Sequence, residues 1–139
     1  MKKLLPILFI GLLILSSCGV KDAEKVADSF HSKMKNKEYN EIVTSMISEA
    51  GLNETPKEHW VQHFKNMETV YGNIKSIDKL SGFNTNTTNS VTLVTLKYKY
   101  NFDSGKSLYE QLMLEDKGDG FKIRGLQTNE DENKLSKID

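Results

Sequence analysis

The sequence predicts an α+β fold: three N-terminal helices packed on a curved antiparallel meander of about four strands. Apolar residues recur at helical spacing as far as Tyr71, and from Gly72 onward the period changes to alternation. The alternating segments are joined by short turns rich in Gly, Asp and Ser, which suits hairpins and an antiparallel order.

The chain opens with Lys2 and Lys3, an apolar run from Leu4 to Leu15, and the small pair Ser16-Ser17 before Cys18, the only cysteine. The run is too short to span a bilayer and has the length of a signal-peptide core. Leu15-Ser16-Ser17-Cys18 resembles a bacterial lipoprotein cleavage box. That resemblance implies residues 1–17 as signal peptide, cleavage before Cys18, and acylation of Cys18 as a palmitate-bearing anchor in the lipid bilayer. Two or three acyl chains make a lasting anchor where one holds only marginally. Gly19 is not acidic, which by the same resemblance implies an outer-membrane site, on its periplasmic face or at the cell surface.

Residues 18–21 read as the lipidated cysteine and a short tether, and residues 22–128 as one domain. The first helix runs from Asp22 to about Asn36, with Ala23, Val26, Ala27, Phe30 and Met34 as its apolar stripe. A second begins near Tyr39, carries Ile42, Val43, Met46 and Ile47 inward, and is expected to stop at Gly51. In Thr55-Pro56-Lys57-Glu58, threonine suits an N-cap, proline the first helical position, and glutamate the closing member of a capping box. The third helix so begun has Trp60, Phe64, Met67 and Tyr71 on one face and ends at Gly72-Asn73.

Ile74, Ile77, Leu80 and Phe83 belong to a first strand whose spacing of three requires a bulge or bend, and Asn84 to Asn89 reads as a polar loop. The clearest strand is Ser90 to Phe102. A three-residue loop, Asp103-Ser104-Gly105, then pairs Tyr100 with Leu108, Tyr98 with Glu110, Leu96 with Leu112 and Val94 with Leu114. After a turn over Asp116 to Gly120, Phe121 and Ile123 are expected to face Leu114 and Leu112, and Gly125 to lie beside Glu110. Residues 129–139 read as a loose, charged tail.

Three helices followed by this meander resemble the nuclear transport factor 2-like cone, the fold of ketosteroid isomerase and polyketide cyclases. The resemblance covers Asp22 to Thr128 and is nearest to small bacterial lipoproteins and secreted domains. It rests on the short final strand Gly120-Phe121-Lys122-Ile123 following Glu110-Gln111-Leu112-Met113-Leu114. It implies an architecture and leaves the activity open, since the superfamily holds enzymes, binding modules and dimerisation domains. For the isomerases it implies an aspartate base with a tyrosine and an acid at an oxyanion site, and that trio has no residue-by-residue match here.

The chain has 19 basic and 19 acidic residues; without Lys2 and Lys3, 17 basic stand against 19 acidic, a formal charge of −2. This excludes a strongly basic nucleic-acid binder. With its cysteine committed to lipid, the domain has no thiol for a disulfide, a zinc cluster or a nucleophile. His59 and His63 have the spacing of two ligands on one helix face, but Trp60 stands where a metalloprotease has glutamate, so they read as boundary residues and no metal or cofactor is expected.

Two surfaces remain. Trp60, Tyr71, Tyr98 and Tyr100, with Phe64 and Phe121, line a ligand cavity or fill the core. Glu110 is the one acid among the inward Leu108, Leu112 and Leu114, and is either a buried functional carboxylate bonded to Tyr98 or a residue at the cone's open rim. Lys97, Lys99, Lys122 and Arg124 form a basic stripe on the opposite sheet face, facing anionic headgroups, an acidic envelope partner or simply water. The sequence therefore points to a lipid-anchored envelope protein with a binding or interaction domain for a small apolar ligand or an envelope protein, and shows no catalytic motif. An acid–base enzyme working in the cone interior and a homodimer joined through the sheet are the alternatives.

Overall fold

The computed structural model describes the backbone of residues 5–135 and the side chains of residues 19–135. Four helices, α1 (Leu5–Lys35), α2 (Tyr39–Ser45), α3 (Glu49–Glu54) and α4 (Lys57–Tyr71), precede strands β1 (Ile74–Thr88), β2 (Val91–Phe102), β3 (Ser107–Asp116) and β4 (Phe121–Asn129). The strands form one antiparallel sheet in the order β1-β2-β3-β4, and the helices pack on its apolar face. The α+β architecture is the one the change of period predicts.

Helix α1 presents Ala23, Ala27, Phe30, His31 and Met34 to the core. It runs unbroken through residues 18–21, so the expected tether is helical. Cys18 and its acylation lie outside the described side chains. The helix closes on Lys37, at φ 60°, with the Lys37 N–H on the Met34 carbonyl (3.1 Å) and the Glu38 N–H on the Lys33 carbonyl (2.9 Å). This pair of hydrogen bonds is the left-handed closure usually given to glycine.

The second predicted helix is split, and Gly51 does not stop it. Met46 to Ser48 leaves the helical path to pair with β4: the Ile123 N–H donates to the Met46 carbonyl and the Ser48 N–H to the Ile123 carbonyl, each at 2.8 Å. Ser48 then caps α3, its hydroxyl accepting from the Gly51 N–H at 3.1 Å. Gly51 lies inside α3, where a Cβ would meet the Ile47 side chain at 2.9 Å and the carbonyls of Arg124 and Ile123 at 3.0 and 3.1 Å. Its missing side chain is what lets α3 touch β4.

The Thr55 capping box does not form. The Thr55 N–H completes α3 on the Gly51 carbonyl (3.0 Å), and extended Pro56 takes the N-cap position of α4 without a side-chain bond. At the other end Gly72 adopts φ 93°, as expected for a helix stop. Asp103 accepts from the Asn73 N–H and side-chain amide, both at 3.0 Å, fixing the α4–β1 corner to the β2–β3 hairpin.

All four pairs predicted for β2 and β3 are present, with Asp103-Ser104-Gly105 as the loop. Strand β1 has the expected bends, between Ile74 and Ser76 and between Lys79 and Phe83. The predicted polar loop is instead strand as far as Thr88, turning through Asn89 and Ser90 at φ 52° and 64°. That pair of left-handed residues makes a tight hairpin turn, so polar composition did not preclude pairing.

The β3–β4 register differs from expectation. Ile123 pairs with Leu114 and Leu126 with Leu112, a bulge at Met113/Leu114 resets the ladder, and Thr128, not Gly125, stands opposite Glu110. The turn residue Asp116 accepts from the N–H groups of Gly118 (2.7 Å) and Gly120 (3.0 Å), so the strand resumes only at Phe121. Beyond β4, Glu132–Lys134 forms a 3-10 turn and Leu135 is buried, while residues 136–139 of the expected tail lie outside the described residues. No helix among the described residues is long and apolar enough to cross a membrane.

Candidate functional site

Glu110 lies on β3 with its side chain 0% exposed, so the rim position is excluded. A carboxylate so placed needs donors at both oxygens. Oε2 accepts from the Tyr100 hydroxyl at 2.5 Å, and Oε1 lies 2.7 Å from Nε2 of His31 on α1. Tyr98 is directly across the ladder, yet its buried hydroxyl has no hydrogen-bond partner among the described residues, which corrects the expected bond to Glu110. The diagonal neighbour Tyr100 reaches where the direct one does not. Tyr98 packs against His31, the ring centroids 4.2 Å apart at 69°. Burial, reinforced by Glu110, raises both phenols above their ordinary value; for Tyr98 the carboxylate of Asp28 contributes more than Glu110.

His31 is the member that sequence reading missed. It follows Phe30 and falls four residues after Ala27, on the flank of the buried stripe, and that placement was its only signal. Its contact with Glu110 depends on how α1 crosses the sheet.

The predicted aromatic set does not enclose one cavity. Eleven residues separate Trp60 from Tyr71, about 16 Å of helical rise. Tyr71 stacks on Phe102 at 5.1 Å and donates to Glu130 at 2.9 Å, while Tyr98 and Tyr100 surround Glu110. Trp60 alone of these lines an open cleft of about 320 Å³ between α3, the start of α4 and β4. Glu54, Thr55, His59, His63, Arg124, Gly125 and Leu126 complete its wall. The contacts of Ile47 and Gly51 with β4 create this space by holding α3 beside the strand. A second space, about 360 Å³ between α2 and α4, is lined by Asn40, Val43, Thr44, Lys57, Glu58, Val61 and Gln62 and has no comparable convergence of aromatic and ionisable groups.

Burial pushes the His63 imidazole below its ordinary pKa, against an opposing pull from Glu110. His59 and His63 both face the cleft, and among the described residues no group of three His, Cys, Asp or Glu side chains is arranged to hold a metal. Trp60 is 6% exposed and its indole N–H is buried with no hydrogen-bond partner among the described residues.

The basic stripe is interrupted. Lys97 and Lys99 lie across from Gln111 and Tyr109, with the Lys99 ammonium 5.7 Å from the Tyr109 ring centroid. Lys122 faces Glu115. Arg124 leaves the stripe at the bulge and joins the cleft, where it bonds Glu54 and lies 3.8 Å from Glu115. The chain matches no model of a known protein family, and no curated protein matches it.

Proposed function

We propose that this chain is a lipoprotein of the bacterial envelope, anchored through acylated Cys18, whose nuclear transport factor 2-like domain binds a small ligand. The observation that supports binding is the cleft beside Trp60, which brings an indole, two imidazoles and a guanidinium around a space of about 320 Å³. Its size is that of small-molecule sites, and its mixture of apolar wall and few polar groups is what such sites use for affinity and orientation. The helices-then-meander order and the curved sheet support the superfamily reading.

A fragment screen by proton–nitrogen NMR tests it, because the chain has one tryptophan and hence one indole N–H signal. Hits that move the Trp60 indole and the Leu126 amide are expected. Hits confined to Lys97 and Lys99, or none, contradict a site in the cleft.

The second reading, an acid–base enzyme, draws on the buried His31–Glu110–Tyr100 cluster. In that reading a ligand reaches Glu110, and Glu110→Gln abolishes turnover while leaving the fold intact. The first reading is the stronger, because Glu110 is fully bonded and does not line the cleft.

A further inference from the structure

Arg124 is the permanent cation of the Trp60 cleft, which it lines together with the imidazoles of His59 and His63 and one acid, Glu54. That acid already occupies the guanidinium of Arg124. The two partners are held differently. The Arg124 side chain is 24% exposed and has Glu115 on its other side at 3.8 Å, whereas the Glu54 side chain is 64% exposed. Arg124 is therefore part of the wall, and Glu54 is a carboxylate that reaches it from the solvent side. An exposed ion pair of this kind contributes little, so replacing Glu54 at Arg124 costs little. A planar guanidinium receives a carboxylate through two parallel N–H bonds, which orients the incoming group as well as binding it.

Trp60 and Leu126 supply the apolar surface beside this cation.

We propose that the cleft takes a small carboxylate with a flat apolar body, its carboxylate on Arg124 in place of Glu54 and its body against Trp60 and Leu126. This rests on the cleft being a ligand site and adds the chemical class of the ligand. Glu54 is then an internal competitor that holds Arg124 in its receiving orientation when the cleft is empty.

The test compares 2-naphthoate with its uncharged counterpart 2-naphthamide, titrated into the full-length protein as purified from membranes into lipid nanodiscs. The fluorescence of Trp60, the chain's only tryptophan, reports binding. Saturable quenching by 2-naphthoate, about tenfold tighter than by 2-naphthamide, is expected. Arg124→Gln should erase that preference, and Glu54→Gln, at an exposed position, should tighten 2-naphthoate binding several-fold. Equal binding of the two probes, or weaker naphthoate binding in Glu54→Gln, overturns the carboxylate assignment and leaves the cleft as a site for uncharged ligands. Saturation by neither probe overturns both the assignment and the cleft reading on which it rests.

Discussion

Tyr98 and Tyr100 stand two residues apart on the same face of β2, and their hydroxyls have opposite fates. The Tyr100 hydroxyl bonds Glu110, and the Tyr98 hydroxyl is buried with no hydrogen-bond partner among the described residues. Removing a buried donor from a carboxylate leaves that acceptor unsatisfied, whereas removing an unpartnered hydroxyl relieves a desolvation penalty. Tyr100→Phe should therefore lower unfolding stability by about 2 kcal/mol and Tyr98→Phe raise it by about 1 kcal/mol, as read from urea midpoints. His63 supplies a pH test. Its folded pKa lies below the ordinary imidazole value, so the unfolded chain takes up its proton first as pH falls. Stability should decline from about pH 6.5 downward until the depressed value is passed. His63→Gln should flatten that part of the profile in denaturation curves recorded between pH 7.5 and about 5.5. That Glu110 stands apart on its strand was legible because one acid broke an apolar alternation, while its burial was one of two readings left open. Its partners were not legible, since diagonal reach and the crossing of α1 are tertiary facts.

Among the elements, the β2–β3 hairpin was the most legible, because a glycine-closed loop of fixed length sets the register of everything after it. The next hairpin was misread by the same logic: Asp116 pairs with Phe121 and so closes a tighter turn than the expected register implies, and a bulge at Arg124 keeps Ile123 and Leu126 opposite Leu114 and Leu112. The split of the second helix was likewise hidden: its periodicity is sound, but the Met46 and Ser48 backbone groups bond to Ile123 in preference to a helical turn. Gly51 is the residue on which that junction turns. An alanine Cβ there meets two backbone carbonyls that cannot move without shifting β4. Gly51→Ala should cost about 1–3 kcal/mol and separate α3 from β4. Amide hydrogen exchange at Ser48 and Ile123, whose N–H groups close the junction, should accelerate together, and unchanged protection at both would contradict this packing.

At the scale of the whole molecule, the buried tyrosines make the fold sensitive to alkaline pH. Burial and Glu68 push Tyr39 up to about 12, and burial first of all raises Tyr98 and Tyr100 as well. Above about pH 10 the unfolded chain loses phenolic protons that the folded chain retains, so stability falls as pH rises. Absorbance at the phenolate band should rise together with loss of circular dichroism; a phenolate signal that titrates fully at pH 10 with the fold intact would contradict the burial of these rings. The α+β class was legible from one change of period at Gly72, while the cleft was not, because Glu54, Trp60 and Arg124 come from three elements whose docking no local pattern records. The continuity of α1 bears on the anchor. Val20 and Ala23 are buried, so the domain begins within about a turn of Cys18, and the proposed anchor there would leave it almost no slack to rise from a bilayer. Intact-mass spectrometry of the protein extracted from the membrane fraction tests the proposed anchoring most directly. The expected species begins at Cys18 and carries the added mass of a diacylglyceryl group, with or without a further acyl chain; a chain that retains residues 1–17, or begins at an unmodified Cys18, would contradict it.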